Sequence, residues 1–473
     1  MKVSPDILAG RRHIHFIGIG GSGMFPLAQI LQGRGYEISG SDNNPGDTIE
    51  LERSMGMQVV IGQRAENIAG ADAIIYSAAI MEENPELIAA RASGLPVIER
   101  SELLGLITSQ FEECAAVCGT HGKTTTTALL THILLGCGKD PSAVIGGKLG
   151  EIGGSGRVGK SPVLAVEACE FCEHFLNLYP DMAVILNVDE DHLDYYKNLE
   201  NIIKAFHTFA GMASRCVIYN GDDPNTLRAV EGIKKEKITF GLSPENDYWA
   251  ADAERFGTGY RYRLMHGEKE ICEVKTAVPG AHNILNSLAA LAAAIRLGCD
   301  ARHAAELVES FGGAGRRFEI LGRVNGVTVA DDYAHHPKEI AVTLRAAKEM
   351  GFHRVFAVHQ PFTYSRTALL LEDFAAALSV ADQVVLSEIM GGREHNTYGI
   401  DARDLQKRIE GCCFFPKFPE IARYVAGAAE EGDLVITLGC GDVYKCAKLI
   451  LEELSCIAGR EAVDTSPVKG DGR

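Results

Sequence analysis

Short apolar runs alternate with stretches of helical spacing along nearly the whole chain. His13-Ile14-His15-Phe16-Ile17 reads as a buried strand, and Leu27, Ile30 and Leu31 share one face of the helix that follows. Strands at 37–40, 73–77 and 95–98 continue the pattern. A second series starts with the run Cys114-Ala115-Ala116-Val117-Cys118, a helical stretch over 127–135, and strands at 162–166 and 183–188. Between them, 146–159 reads as a glycine-rich loop. Residues 211–276 carry shorter apolar runs and more polar turns, expected to be strands and connections. A long Ala/Leu helix starts after Pro279-Gly280. Gly312-Gly313-Ala314-Gly315 reads as a hinge, and strands at 327–330, 354–358, 383–386 and 434–438 follow with helical patterns between them. Such alternation predicts parallel sheets, with the turns at the carboxyl ends of the strands gathered on one rim. The expectation is an α/β chain of three domains, 1–107, 108–314 and 315–473, with Rossmann-like first and third domains and a P-loop domain between them. The tail 459–473, polar with Gly and Pro, is expected to be disordered.

Composition narrows the function. The chain of 473 residues is 46% hydrophobic and 23% charged, an ordinary globular balance. A formal net charge of −17 argues against a nucleic-acid partner. No apolar run reaches the ~18 residues of a membrane span. The 13 cysteines are scattered, and no charged and apolar leader is present, so reduced thiols in a cytoplasm are expected. Cys169-x-x-Cys172-x-His174 has no second C-x-x-C to complete a four-ligand zinc site.

Two glycine-rich turns carry the chemistry. Gly119-Thr120-His121-Gly122-Lys123-Thr124-Thr125 lies between a strand and a helix, where backbone N–H groups and the helix N-terminus attract phosphate. Lys123 reaches β- and γ-phosphate oxygens in such a turn, and the Thr124 hydroxyl ligates Mg²⁺. Val117 stands where the general P-loop pattern has Gly; the shorter form belongs to one ATPase group. Earlier, Gly18-Ile19-Gly20-Gly21-Ser22-Gly23-Met24 follows the first strand, with Asp42 ending the second. That is formally a dinucleotide fingerprint, but its physics suits any nucleoside diphosphate. One turn for a diphosphate and another for a triphosphate with metal is more than a dehydrogenase requires.

Other candidates stand at strand ends. Glu167 and His192 should share the P-loop rim, as Mg²⁺ ligands or as capping groups. Asn283 and Asn286 share one face of a first helical turn, to meet a nucleotide or to cap. Arg316 and Arg317 follow the hinge, and one of them should reach phosphate. Arg366 and Arg393 could hold a carboxylate bidentately or lie on the surface. Gly439-Cys440-Gly441-Asp442 resembles a weak anion turn.

These residues resemble the Mur ligase family of peptidoglycan synthesis from about His13 to Leu454. The resemblance is carried by the Gly18–Met24 turn, Ser39-Gly40-Ser41-Asp42, the P-loop, Asp191-His192-Leu193-Asp194, His282-Asn283-x-x-Asn286, Gly315-Arg316-Arg317-Phe318 and Asp331-Asp332-Tyr333-Ala334-His335-His336-Pro337. The first and last of these are similar to the alanine-adding branch in particular. The resemblance implies an ATP-dependent ligase that joins L-alanine to UDP-N-acetylmuramate through an acyl phosphate and a tetrahedral intermediate. It implies small-molecule partners only, and a monomer or weak dimer. A relative that attaches a preformed peptide is the alternative, and an NAD-dependent oxidoreductase a more distant one.

Residue by residue, the resemblance puts Gly18, Gly20, Gly21, Ser22, Gly23, Asp42 and Ser77 on the UDP group. Gly119, Thr120, His121, Gly122, Lys123, Thr124, Thr125, Asn283, Asn286, Arg317, Asp332 and Tyr333 fall on ATP. Thr124, Glu167 and His192 fall on the metal, and His336, Arg366 and Arg393 on the amino-acid or carboxylate end. ATP is expected to draw the second and third domains together. Three departures stand out. The family's Glu-Ala-Asp-Glu-Ser-Asp is Glu-Ala-Cys-Glu-Phe-Cys at 167–172. Phe362 replaces the His of a Gln-Pro-His segment, while His359 appears three residues earlier. Phe206 stands where sister ligases carry a carbamylated lysine, with Lys204 nearby.

Overall fold

The computed structural model describes residues 4–392 and 394–464. Two compact units form, one of residues 1–277 and 282–314, the other of 278–281 and 315–473. The first unit contains two sheets. Strands β1 (His13–Ile17), β2 (Glu37–Asp42), β3 (Gln58–Ile61), β4 (Ala73–Tyr76) and β5 (Val97–Glu99) form an all-parallel sheet in the order β3-β2-β1-β4-β5. Strand order reverses beside β1, and the crevice at such a switch point is where open α/β sheets bind ligands.

The second sheet is built on β6 (Glu113–Cys118), β7 (Ser142–Leu149), β8 (Gly154–Arg157), β9 (Val163–Glu167), β10 (Met182–Ile185), β11 (Cys216–Asn220) and β12 (Glu236–Gly241). An antiparallel extension follows in β13 (Tyr248–Phe256), β14 (Gly259–His266) and β15 (Lys269–Lys275). Its order is β15-β14-β13-β12-β11-β10-β6-β9-β7-β8. The central strand β6 is buried over Cys114–Cys118, with β10 and β9 parallel on either side. That is why its sequence reads as a continuous apolar run rather than an alternating one.

The stretch expected to be a glycine-rich loop is largely the β7–β8 hairpin. Its glycines serve close packing. A Cβ on Gly156 would lie 2.6 Å from Pro26 Cα, and Val158 leaves no room for one on Gly33 at 2.9 Å. The hairpin therefore lies directly on helix Phe25–Gly33 and joins the two sheets of this unit.

The second unit holds β16 (Glu319–Val324), β17 (Val327–Asp332), β18 (Val355–His359), β19 (Gln383–Leu386), β20 (Cys413–Phe414) and β21 (Leu434–Leu438), in the order β16-β17-β21-β18-β19-β20. All neighbours are parallel except β16 with β17. Apolar clusters cover both faces, one around Leu344, Phe374 and Leu405, the other around Ile421, Val425 and Ile450. The last helix, Tyr444–Asp464, runs past Gly459, where a disordered tail was expected. One helical Gly costs only about 1 kcal/mol, and the helix formers Arg460-Glu461-Ala462 follow it. The rest of that tail, 465–473, lies outside the described residues.

Beneath the first sheet's ligand rim lies a buried polar network. Glu86, with no exposed surface, meets His15 Nε2 at 2.6 Å and accepts from Ser41 Oγ at 2.8 Å and Asn67 Nδ2 at 3.1 Å. His15 Nδ1 meets Ser39 Oγ at 2.7 Å. Removing one member strands the others without water or partner. Glu86→Ala is therefore expected to lower the stability of this unit by about 3 kcal/mol, read as an earlier first transition in urea. An unchanged transition would show the network to be dispensable.

Candidate active site

The turn after β6 is shaped by two glycines in the left-handed half of backbone space, Gly119 (φ 148°) and Gly122 (φ 86°). Neither tolerates a side chain. A Cβ would lie 2.9 Å from Leu186 Cβ at Gly119 and 2.5 Å from Asn286 Oδ1 at Gly122. Asn187, at the carboxyl end of β10, braces the turn: its Oδ1 accepts from His121 N at 2.8 Å and its Nδ2 donates to His121 O at 3.0 Å. Thr120 N donates to Asn187 O at 3.1 Å, and Thr120 Oγ1 accepts from Asp189 N at 2.9 Å. The helix Lys123–Gly136 begins directly behind, with Thr124 buried in its first turn and Thr125 half-buried. Asn286 Nδ2 donates to Asn283 Oδ1 at 2.8 Å, so the two amides act as a pair on helix His282–Arg296, packed against the glycine turn. Next to them, burial and the neighbouring His121 lower the His282 imidazole to about 4, so it is neutral at pH 7.

Lys123 folds back over the turn. Its Nζ donates to Gly119 O at 2.6 Å and Thr120 O at 3.0 Å, and pairs with Glu170 at 2.9 Å. Burial pulls its pKa down, but Glu170, and behind it Cys169 and Glu167, more than reverse this and raise the pKa. Glu170 is 4% exposed and has His192 Nε2 at 3.8 Å; Tyr196 Oη donates to its backbone carbonyl. Three non-glycine residues around it, Cys172, Glu173 and His192, have φ between 51° and 58°. Strain of that kind persists only where surrounding contacts impose it. Glu167 stands at the carboxyl end of β9, half-buried, its Oε2 accepting from Gly146 N at 2.7 Å. A Cβ on Gly146 would lie 2.5 Å from that carboxylate. Sequence reasoning missed Glu170 and Asn187. Their only signal was their place just beyond two strands that flank β6.

The turn after β1 is held by its own strand neighbours. Gly18 (φ 81°) and Ile19 both donate to Ser41 O, at 2.8 and 3.1 Å. Asp42 Oδ2 accepts from Gly20 N at 3.1 Å, and its Oδ1 accepts from Asn44 N at 3.0 Å. Gly21 N closes on Gly18 O at 3.2 Å, and Ser22 O accepts from Ser155 Oγ at 3.3 Å. Ser77 ends β4 on the other side of Gly18, whose Cβ position lies 3.8 Å from Ser77 Cβ.

In the second unit the two hinge arginines divide. Arg316 is enclosed: Nε donates to Asp331 Oδ2 at 2.7 Å, and its other nitrogens donate to Gly441 O at 3.1 Å and Gly439 O at 2.5 Å. The expected anion turn at 439–441 therefore presents carbonyls to a cation, which corrects that reading. Both guanidinium groups lie over the Tyr333 ring, Arg316 at 5.0 Å and Arg317 at 5.2 Å. Asp332 accepts from Phe318 N at 2.8 Å and Ala334 N at 2.7 Å, and so ties together the backbone just after Arg317 and just after Tyr333. His336 caps helix Pro337–Glu349, accepting from Lys338 N at 3.3 Å. Burial lowers the pKa of His335, and Arg366 adds to that effect. Arg366 also acts on the Cys440 thiol, so it belongs to this cluster. Arg393 lies outside the described residues.

Comparison with known proteins decides the family. A profile of the Mur ligase family catalytic domain matches residues 13–112, one of the Mur ligase middle domain 117–294, and one of the Mur ligase glutamate ligase domain 316–441. The UDP-N-acetylmuramate–L-alanine ligase of Caldanaerobacter subterraneus subsp. tengcongensis is 43% identical over 449 residues, 93% of this chain and 98% of that protein. The chain belongs to the Mur ligase family. The Agathobacter rectalis protein of the same name is 42% identical, over 93% of this chain and 98% of its own. Among solved structures, the UDP-N-acetylmuramate–alanine ligase of Thermotoga maritima aligns with a TM-score of 0.82 at 28% identity, covering 94% of this chain and 99% of that one. A murein peptide ligase from Psychrobacter arcticus shares the fold, with a TM-score of 0.74 at 23% identity over 94% of this chain and 98% of its own.

Within this Mur ligase the departures take physical form. Cys169 and Cys172 flank Glu170, and burial first, then Glu170, raises the Cys169 thiol to about 11, so it stays protonated at neutral pH. Phe206 is fully buried, 5.3 Å from Phe175, which stacks on Phe209 at 4.7 Å. The position of the sister ligases' lysine is here part of the floor beneath the segment carrying Glu170, and Lys204 is exposed. Phe362 packs on the Gly392 turn, while His359 is buried, its Nδ1 3.0 Å from Leu438 O.

Burial raises Asp332 from 3.8 to about 6, with Arg317 and the two amides opposing it. It is a carboxylate at pH 7.5 and takes up a proton as the pH falls through 6. Because the folded value lies above the unfolded one, this uptake adds stability between pH 6 and 4. Turnover is thus expected to fall with an inflection near pH 6 while the melting temperature does not drop in that window. Asp332→Asn should remove the inflection; its persistence would exclude Asp332 as its source.

Proposed function

We infer that the chain is an ATP-dependent ligase that joins L-alanine to the carboxylate of UDP-N-acetylmuramate, a step of peptidoglycan precursor synthesis. The observation that carries this reading is the presence, in one compact unit, of a turn built for a nucleoside diphosphate and a P-loop with its lysine. The relatives named for the same reaction, matched over almost their whole length, support it. In this reading residues 1–107 take the UDP-substrate, 108–314 the ATP, and 315–473 the amino acid and part of the nucleotide.

The chemistry brings two anions together. Lys123 exchanges its contacts with the turn carbonyls and Glu170 for the β- and γ-phosphates. The muramyl carboxylate attacks the γ-phosphorus, forming acyl phosphate and ADP. The amine of alanine then attacks the acyl carbon, and the tetrahedral intermediate expels phosphate. Fixed positive charge where negative charge accumulates supplies most of the acceleration. Arg317, held by the Asp332 turn, serves the phosphates, and Asn283 and Asn286 the nucleotide. Arg366 and His336 serve the carboxylate end.

Among the described residues no cluster of three or more His, Cys, Asp or Glu side chains forms a metal cage. That suits Mg²⁺, which takes few protein ligands and completes its shell with phosphate and water. Thr124, Glu167 and His192 are the donors that would hold it. Bound there, the ion supplies neutralisation of phosphate charge.

Phosphate release from Mg·ATP is expected to require both UDP-N-acetylmuramate and L-alanine, with glycine and L-serine slower. Release with a tripeptide in place of alanine would assign the chain to the peptide-attaching branch. No release with any amine would contradict the ligase reading.

A further inference from the structure

Arg100 is the first residue of helix Arg100–Thr108, which follows β5. Its guanidinium lies against the Gly18–Met24 turn. A Cβ on Gly23 would stand 3.3 Å from Arg100 Cδ, 3.4 Å from Nη1 and 3.5 Å from Nε. Gly23 has no positive φ, so its lack of a side chain here serves this close approach.

The side chain is half-buried, yet among the described residues its guanidinium has no hydrogen bond or ion pair. The nearest carboxylate in sequence is already committed. Glu99 Oε2 accepts from Ser101 N at 2.7 Å and from the Ser101 hydroxyl, while Glu102 closes the capping box on Glu99 N at 3.0 Å. Ser101 Oγ also accepts from Asn177 Nδ2 at 2.9 Å, which ties the start of this helix to the segment that follows Glu170. The charge of Arg100 is felt at His174 in that segment, where burial and Arg100 together lower the imidazole pKa against the pull of Glu99. Arg100 thus stands beside one phosphate-type turn and faces the segment that carries the partner of Lys123. A partly desolvated guanidinium with its five donors unspent is matched by a planar or tetrahedral oxyanion.

We propose that Arg100 is a binding residue for the UDP-substrate, and that it takes the diphosphate of the nucleotide at the Gly23 turn. The proposal rests on the ligase reading and adds a residue to it. A backbone turn gives directional but uncharged donors. Two linked phosphates carry more negative charge than one such turn offsets, and a guanidinium fork supplies the balance. Arg100 would also fix the direction in which the sugar leaves the diphosphate.

The test is calorimetric binding of UDP, UDP-N-acetylglucosamine, UDP-N-acetylmuramate and uridine to wild type, Arg100→Ala and Arg100→Lys. The KM for ATP serves as the check that the fold is intact. Loss of a charge-assisted bidentate contact should weaken UDP by about 10- to 100-fold in Arg100→Ala. Uridine affinity should change by less than about twofold and the KM for ATP should hold, since neither rests on the contact. Arg100→Lys should recover part of the loss. Equal UDP affinity in wild type and Arg100→Ala overturns the assignment. So does a loss confined to UDP-N-acetylmuramate, which would move Arg100 to the sugar carboxylate. Failure of wild type itself to bind UDP would overturn the ligase reading together with it.

Discussion

A buried ammonium needs a counter-charge, and in this chain the pair Lys123–Glu170 meets that need. Lys123 is 14% exposed and Glu170 4% exposed. Removing either alone would leave a charge in a poorly hydrated place, which costs several kcal/mol. Much of the local architecture follows. The segment after β9 must bring Glu170 to the P-loop, and it does so through left-handed residues at 172 and 173. Phe175, Phe206 and Phe209 form the floor that holds this segment, and Tyr196 ties its backbone from the far side. In the proposed reaction phosphate would take Lys123 from Glu170, which has His192 Nε2 3.8 Å away.

Both anion turns lie in one compact unit, and similar devices hold them. Each follows the strand at which sheet connectivity places ligands. Each needs glycine where backbone approaches a neighbour too closely for a side chain: Asn286 at Gly122, and Ile49 at Gly20, whose Cβ position lies 2.6 Å from Ile49 Cδ1. Each is braced by a polar residue at the end of the adjacent strand, Asn187 in one case and Asp42 in the other. Asp42 is the residue that a dinucleotide fingerprint assigns to a ribose. Here its two oxygens are spent on backbone amides, so its structural work is to set the turn.

The core strands of the three parallel sheets could be read from the chain because a strand buried on both faces must be largely apolar. The two glycine turns could be read because glycines at fixed spacing between a strand and a helix, joined in the second turn by Lys123, have few other uses. Features that depend on distant partners could not. The β7–β8 hairpin looked like a loop, since its glycines answer to distant neighbours, Gly156 to Pro26 and Gly146 to Glu167, rather than to a turn. Glu170 looked like one carboxylate among several until the fold set it against Lys123. Arg316 and Arg317 are indistinguishable in sequence. Both lie over Tyr333, and it is Asp331 and the carbonyls of Gly439 and Gly441 that mark Arg316 as the one bound into its own unit. The 439–441 turn misled for the same reason: glycine spacing does not tell whether N–H or C=O groups point inward.

The central claim is that the two turns serve one reaction, in which a carboxylate on the first ligand attacks the phosphate of the second. UDP-N-acetylmuramate labelled with ¹⁸O in its carboxylate tests this most directly, by mass analysis of the phosphate released with ATP and L-alanine. The account predicts that one labelled oxygen moves from carboxylate to phosphate in each turnover, because the acyl phosphate shares that oxygen. Phosphate released without label would show that ATP is split by water, and that the two turns do not act on a common bond.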